Sequence, residues 1–186
     1  MENKNKIIFN NELRTITTER LLLRMFRSED AEVVAKLCNN YNVTKSTLNL
    51  PYPYSIECAL EWFEKHEENF VDDKLYTFAI IDKNTGELFG CISLSNNKVH
   101  KNGEIGYWIG EEYWGNGYAT EATKSMIEFA FDVQEYHRVI ARHFVSNPAS
   151  GRVMQKAGMK YEGEFIDHIY KNDKFESLAN YAIVNK

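Results

Sequence analysis

The sequence predicts one domain of the α/β (α+β) class, a mixed and mostly antiparallel sheet of about seven strands with helices on its faces. Three observations carry this expectation. Three β segments follow one another in the middle of the chain, joined by turns instead of helices, which excludes a doubly wound parallel sheet. A long amphipathic helix starts directly after a glycine pair, and the chain ends in a pattern with the look of a β-hairpin. The 186 residues, 44% hydrophobic and 13% aromatic, are enough to bury well over half of the unfolded chain's surface without disulfides or metals, and the aromatic content excludes disorder. No linker, charge block or fixed-period repeat divides residues 1–186, so a single domain follows a short polar arm over residues 1–14.

Each element has a local reason. Residues 21–25, Leu-Leu-Leu-Arg-Met, read as a strand. Ser28, Glu29 and Asp30 then supply an N-cap candidate and two acids at the positive end of a helix whose buried face is Val33, Val34 and Leu37. After the Pro/Tyr stretch 50–54, Ser55 is placed to cap a second helix carrying Ala59, Leu60, Trp62, Phe63 and His66 at helical spacings. Residues 76–81, 88–94 and 104–109 are the three successive β segments, and Asp82-Lys83-Asn84-Thr85-Gly86 between the first two predicts an antiparallel hairpin. Ala119, Ala122, Met126, Ile127 and Ala130 keep the three-to-four spacing of the long helix. A strand over 138–145 is next. A short helix then starts near Ser150 and closes at Gly158, a position suited to a left-handed C-cap. Residues 165–170 and 175–184, around Lys171-Asn172-Asp173-Lys174, complete the hairpin.

Charge and cysteine usage bound the function. There are 22 Lys+Arg against 27 Asp+Glu, a net charge of −5, which argues against broad binding along nucleic-acid phosphates and leaves room for a cationic substrate. Cys38, Cys58 and Cys91 form no C-x-x-C pair and no disulfide framework, which fits a reducing compartment. The apolar run Ile7-Ile8-Phe9 is too short for a signal sequence or a membrane span. A cytoplasmic protein with no membrane partner is the expectation. The five histidines show no metal spacing, and no metal is expected.

The most informative segment is Trp114-Gly115-Asn116-Gly117-Tyr118-Ala119-Thr120-Glu121-Ala122, between a strand and a helix. Two glycines let backbone N–H groups face inward, and the helix start behind them adds partial positive charge, so the segment reads as an anion cradle suited to a pyrophosphate. It lacks the G-K-[ST] of a P-loop, and Thr120 stands where a dinucleotide fingerprint needs a small residue. On the glycines alone, a tight strand-to-helix turn is an equal reading.

The wider pattern breaks that tie. Glu104-Ile105-Gly106-Tyr107-Trp108-Ile109-Gly110, the Gly-Asn-Gly segment, Asn147-Pro148-Ala149-Ser150, and Lys156-Ala157-Gly158-Met159-Lys160-Tyr161-Glu162-Gly163 closely resemble the GNAT N-acetyltransferases. More narrowly, they resemble the branch that acetylates the N-termini of ribosomal proteins. The opening Thr18-Glu19-Arg20-Leu21-Leu22-Leu23-Arg24 and Tyr181 are similar too, so the resemblance runs from about residue 15 to the end. It implies a fold in which two parallel strands splay around acetyl-CoA. The amides of Gly115, Asn116, Gly117, Tyr118 and Ala119 would hold the pyrophosphate, with Thr120 beside them. Strand backbone at Trp108 and Ile109 would pair with the pantetheine as an added strand does, Asn147 and Ser150 would meet the cofactor arm, and Lys156 would lie near the adenosine end. Trp114 departs from the family's usual Gln or Arg, which removes a polar side chain but no backbone donor. Asn147 also reads as a helix cap before Pro148 at the first helical position.

Acetyl transfer needs a neutral amine, a polarised carbonyl and a proton for the leaving thiolate, and direct attack needs no covalent enzyme intermediate. A strand N–H near Ile109 is the expected carbonyl donor. Many relatives have a Tyr acid seven residues after the motif Asn, where this chain has Met154. Ser150 takes the acid's place in the resemblance, ahead of Tyr161, and a plain helix opening is its structural reading. Glu104, on the same strand and face as Gly106 and Trp108, is the candidate base, with Asp167, His168 and a water relay as rivals. For the acceptor, Tyr52 and Tyr54 with Trp62 read either as a cation-attracting groove or as core aromatics. Glu57, Glu61, Glu64, Glu67 and Glu68 form an acidic face, either a solvated helix surface or an attractor for a basic tail or polyamine. The acceptor favoured is a ribosomal-type protein N-terminus. A small amine, a non-catalytic acyl-CoA-binding domain and a structural partner protein are the alternatives, and monomer and homodimer are both compatible with the sequence.

Overall fold

The computed structural model describes residues 7–186; residues 1–6 of the expected arm lie outside the described residues. The sheet has nine strands in the order β1-β2-β3-β4-β5-β6-β7-β9-β8. The two strands beyond the expected seven are β1 (Ile8–Asn10) and β2 (Thr15–Thr17), which pair with each other, and β2 pairs with β3 (Leu21–Arg24). At three residues each they are too short to show an alternation. β4 (Leu75–Asp82), β5 (Leu88–Asn97) and β6 (Asn102–Ile109) continue the antiparallel run. β7 (Arg138–Phe144) lies parallel to β6, and β8 (Lys160–Lys171) and β9 (Lys174–Val184) form the closing hairpin, with β9 next to β7.

Alternation along the strands divides the core between two faces. Tyr76, Phe78 and Ile80 of β4 and Ile105 and Ile109 of β6 face the helices α5 (Tyr118–Glu128) and α6 (Pro148–Lys156), meeting Ala122, Met126 and Met154. Ala79, Ile81, Cys91 and Trp108 face the other way, onto α1 (Ala31–Cys38) and α3 (Ile56–Phe63). Ser55 caps α3 as expected, its hydroxyl accepting from the Cys58 amide at 3.4 Å. Two local readings change. Ser28 opens only a single 3-10 turn and α1 begins at Ala31, because the Asp30 carboxylate is taken by the Arg24 guanidinium (2.7 and 2.8 Å) and the Arg27 amide. The helix from Ser55 breaks after Phe63, and His66 starts α4 (His66–Val71); the still shorter α2 (Tyr41–Thr44) precedes α3. Gly158, at φ 90°, closes α6 in the left-handed conformation. All three cysteines are free, and no described helix is long and apolar enough to cross a membrane.

His66 is 5% exposed, against the rings of Phe26, Trp62 and Phe63, and neither ring nitrogen has a partner. Burial pulls its pKa down to about 4. The unfolded chain, with histidine near 6.5, therefore binds a proton that the folded chain refuses, so stability falls as pH drops from 6.5 through 4. The full loss is about 3 kcal/mol at 1.4 kcal/mol per unit. Urea denaturation of wild type and His66→Phe between pH 4 and 7 checks this: the variant is expected to lose the part of the slope due to His66, and identical slopes would contradict it.

Candidate active site

β6 and β7 pair over four residue pairs only, from Asn102↔Arg138 to Ile105↔Ala141. Beyond them β6 stays bound to β5 and β7 to β9, so the two parallel strands part. The Gly110 amide donates to Phe89 O (2.9 Å), and an antiparallel ladder alternates, so Tyr107 and Ile109 turn their backbone N–H and C=O groups toward the gap. The Ile109 carbonyl is taken by the Trp114 indole N–H at 2.7 Å. Its N–H points into the opening.

Past β6 the chain crosses Gly115 and Gly117, at φ 81° and 82°, before α5 begins at Tyr118. Only glycine holds this left-handed geometry without strain. The loop is braced from β3: the Arg20 guanidinium donates to Asn116 O (3.0 Å) and to Glu121 (2.6 Å), and Glu121 also accepts from Thr18 Oγ1 and the Arg20 amide. Because a trans peptide sets its C=O and N–H on opposite sides, holding the Asn116 carbonyl outward turns the Gly117 N–H inward. Tyr118 is sandwiched between Phe89 (4.2 Å between ring centroids) and the Arg20 guanidinium (4.9 Å).

The other lip of the gap leads into α6. Pro148 occupies its first turn and Asn147 its N-cap position, but the Asn147 side chain makes no cap bond; its Nδ2 donates to Ser150 Oγ at 3.2 Å. Ser150 thus sits inside the helix instead of opening it. Its carbonyl accepts from the Tyr107 hydroxyl at 3.3 Å, which ties α6 to β6. Gly151 leaves room for the His143 ring: a Cβ there would lie 2.7 Å from its Nε2, so the ring would have to shift. Burial raises Tyr107 to about 12, so it stays a phenol.

These pieces surround a cleft of about 630 Å³. Its far wall is the α2 segment and the tip of the β8–β9 hairpin, clasped by Lys171 Nζ, which donates to the carbonyls of Thr47 and Leu48. Lys45, Arg152, Lys156 and Lys174 line the cleft, and Glu176 is its only carboxylate among the described residues. Glu176 accepts from Ser146 Oγ (2.9 Å) and Lys174 Nζ (2.6 Å), and the lysine's bond, with that of the serine, holds its carboxyl below the usual range despite burial.

The family model for the acetyltransferase (GNAT) domain matches residues 20–160. The chain belongs to the GNAT acetyltransferases. This GNAT chain is 30% identical over 170 residues to the uncharacterized N-acetyltransferase YoaA of Bacillus subtilis, covering 91% of the chain and 96% of the relative. The ribosomal-protein-S5-alanine acetyltransferase of Vibrio fischeri has a similar solved structure (TM-score 0.81, 24% identity, 92% and 96% of the two chains). So does the spermidine N-acetyltransferase of Vibrio cholerae solved with CoA and spermine (TM-score 0.76, 21%, 90% and 96%). The GNAT chain is an acetyl-CoA-dependent N-acetyltransferase.

Most of the residues named from sequence meet in the GNAT cleft: Trp108, Ile109, Gly115, Gly117, Tyr118, Ala119, Thr120, Asn147, Ser150 and Lys156 all line it. Several expectations need correction. Glu104 is absent from the cleft, its carboxylate taken bidentately by Arg142 (2.8 and 2.7 Å) where the parallel strands are still paired. Trp108 reaches the cleft, but its backbone groups turn to β5, so of the expected pair Ile109 alone lies on the open strand edge, which it shares with Tyr107. Asn116 does not line the cleft either, its carbonyl being held by Arg20. Tyr54 is core, 5% exposed, and Tyr52 stands outside the cleft with its ring edge against Tyr41 (5.7 Å). Asp167, His168 and the five glutamates between 57 and 68 are also outside it, exposed to solvent. Sequence reasoning missed Tyr107, Lys45, Arg152 and Glu176. Tyr107 lies inside a quoted motif, and the Lys-x-Glu spacing of Lys174 and Glu176 puts both on one strand face.

Proposed function

We propose that this acetyltransferase acts on a protein N-terminal α-amine, by direct attack and without a covalent enzyme intermediate. The observation that carries this is the scarcity of bases in the cleft. No histidine or cysteine lines it, and its one carboxylate is engaged by Lys174 and Ser146, whose hydrogen bonds lower its pKa and make it a weak proton acceptor. An α-amine with a pKa near 8 is roughly one-quarter neutral at pH 7.5, whereas an amine near 10.4 is about 0.1% neutral and needs a base to react. Without an adjacent base the cleft serines are poor nucleophiles, which supports direct attack.

The residues present fit acetyl-CoA, which supplies the activated acetyl thioester when bound. Gly115, Gly117, Tyr118, Ala119 and Thr120 offer amides at the start of the eleven-residue α5 to a pyrophosphate. Arg152 and Lys156 add positive charge along α6. The Ile109 N–H, on an open strand edge, is the donor placed to stabilise negative charge on the carbonyl oxygen. Asn147 orients Ser150, whose hydroxyl passes its proton to the leaving thiolate and regains one from the nitrogen that attacked, which must lose a proton as the amide forms.

Initial rates of thiol release with peptides that begin with free Ala or Ser, against spermidine and butylamine, test the acceptor. The peptides are expected to have the higher kcat/KM, and a preference for spermidine would overturn the N-terminal acceptor. With a peptide, kcat/KM should rise about tenfold per pH unit and level off near pH 8, the amine's own pKa. An inflection between pH 5 and 7 would reveal an enzyme base and contradict the base-free reading.

A further inference from the structure

Glu176 is a carboxylate in a cleft whose other charged groups are all cations. Its side chain is 11% exposed, whereas that of Lys174, its partner two residues earlier on β9, is 61% exposed. The ammonium of Lys174 is itself a primary amine cation, 2.6 Å from Glu176 Oε1, and Ser146 Oγ holds the other carboxylate oxygen in place. A buried, oriented carboxylate thus already carries the chemical group of an acceptor, donated by a long side chain that reaches in from solvent. Such a half-exposed pair is weak and easily exchanged, while the carboxylate, once stripped of it, must find another cation or remain buried and unpaired.

We propose that Glu176 is the seat of the acceptor's cationic amine, and that Lys174 keeps this seat until an acceptor ammonium displaces it. The inference rests on the acetyl-transfer reading and names how the acceptor is recognised. Anionic phosphates are drawn to the amides of the glycine loop, to Arg152 and to Lys156, whereas Glu176 is the one lining side chain among the described residues that attracts a cation. The seated ammonium gives its proton to water before attack, and the neutral amine keeps an N–H donor on the same carboxylate.

Glu176→Gln keeps the shape and the Ser146 bond and removes the charge. In initial-rate assays with the N-terminal peptides and spermidine, it is expected to raise the acceptor KM by about 10- to 100-fold and to leave the acetyl-CoA KM within about twofold. Lys174→Ala is expected to lower the acceptor KM several-fold in the wild-type background and to change nothing in the Glu176→Gln background. An unchanged acceptor KM in Glu176→Gln, an equal rise in both KM values, or a higher acceptor KM in Lys174→Ala would each overturn the seat. The thermal midpoint with and without acetyl-CoA separates failure of acetyl transfer from failure of the seat. If acetyl-CoA does not raise it, the acetyl-transfer reading fails and the seat fails with it. If acetyl-CoA binds and the panel is acetylated but Glu176→Gln leaves the acceptor KM unchanged, the seat alone falls.

Discussion

Ser150→Ala is expected to lower kcat by about 10- to 100-fold, a loss of about 1.4 to 2.7 kcal/mol in the transition state, with the acetyl-CoA KM little changed. The expectation comes from how the hydroxyl is held. Asn147 Nδ2 donates to Ser150 Oγ at 3.2 Å, which occupies a lone pair and leaves the hydroxyl hydrogen free to be given. The Tyr107 phenol, bound to the Ser150 carbonyl, fixes the backbone from which that hydroxyl projects. Met154 is 1% exposed in the core and contributes no proton. Steady-state kinetics on Ser150→Ala, Asn147→Ala and Tyr107→Phe separate the roles. A proton donor predicts the largest kcat loss at Ser150 and a smaller one at Asn147. Wild-type turnover in Ser150→Ala would assign the hydroxyl to packing, and a larger loss in Tyr107→Phe would make the phenol the acid.

The double substitution Gly115→Ala, Gly117→Ala is expected to weaken acetyl-CoA by about 100-fold. Space is not the reason. A Cβ at 115 would meet nothing within 4 Å, and one at 117 would meet only the tip of Arg20 at 3.5 Å. The conformation decides, because alanine in the left-handed region carries strain of about 1 to 3 kcal/mol, and a solvent-facing loop relieves it by rotating its peptides. Rotation aims the amides away from the cleft, and each amide bond lost to a charged phosphate costs about 1.5 to 3 kcal/mol. Isothermal titration with CoA and the thermal midpoint of the free variant distinguish the outcomes. Lost affinity with a nearly unchanged midpoint is expected. Unchanged affinity with a lowered midpoint would mean that the loop kept its shape and that strain, not binding, absorbed the change.

Legibility from sequence followed the range over which each residue's partners lie. The Gly-x-Gly turn, the Ser55 cap, Gly158 and the two hairpins are set by neighbours a few residues away, so the order of strands and helices and the glycine loop before α5 were readable. Glu104 shows where this stops. Alternation placed it on the face of Trp108, but whether its carboxylate is free depends on Arg142, 38 residues later, which faces it only once β7 pairs with β6 in a particular register. Glu176 has the same problem, since it meets Ser146 only after β9 has docked on β7. Tyr52 and Tyr54 both stand beside Pro53; one turns out and the other into the core, a choice made by Asn39, whose side chain receives the Tyr54 amide at 3.1 Å.

The four-pair ladder between β6 and β7 has a mechanical meaning as well. Strands β1 to β6 form one antiparallel body and β7, β9 and β8 another, and within the sheet that ladder is the whole join. The packing of α5 on α6 reinforces this join. A ligand gripped by the glycine loop on one side and α6 on the other spans this line as a cross-tie. Substrate loading is therefore expected to add a second join between the two bodies, across the line where the sheet has only the β6–β7 ladder.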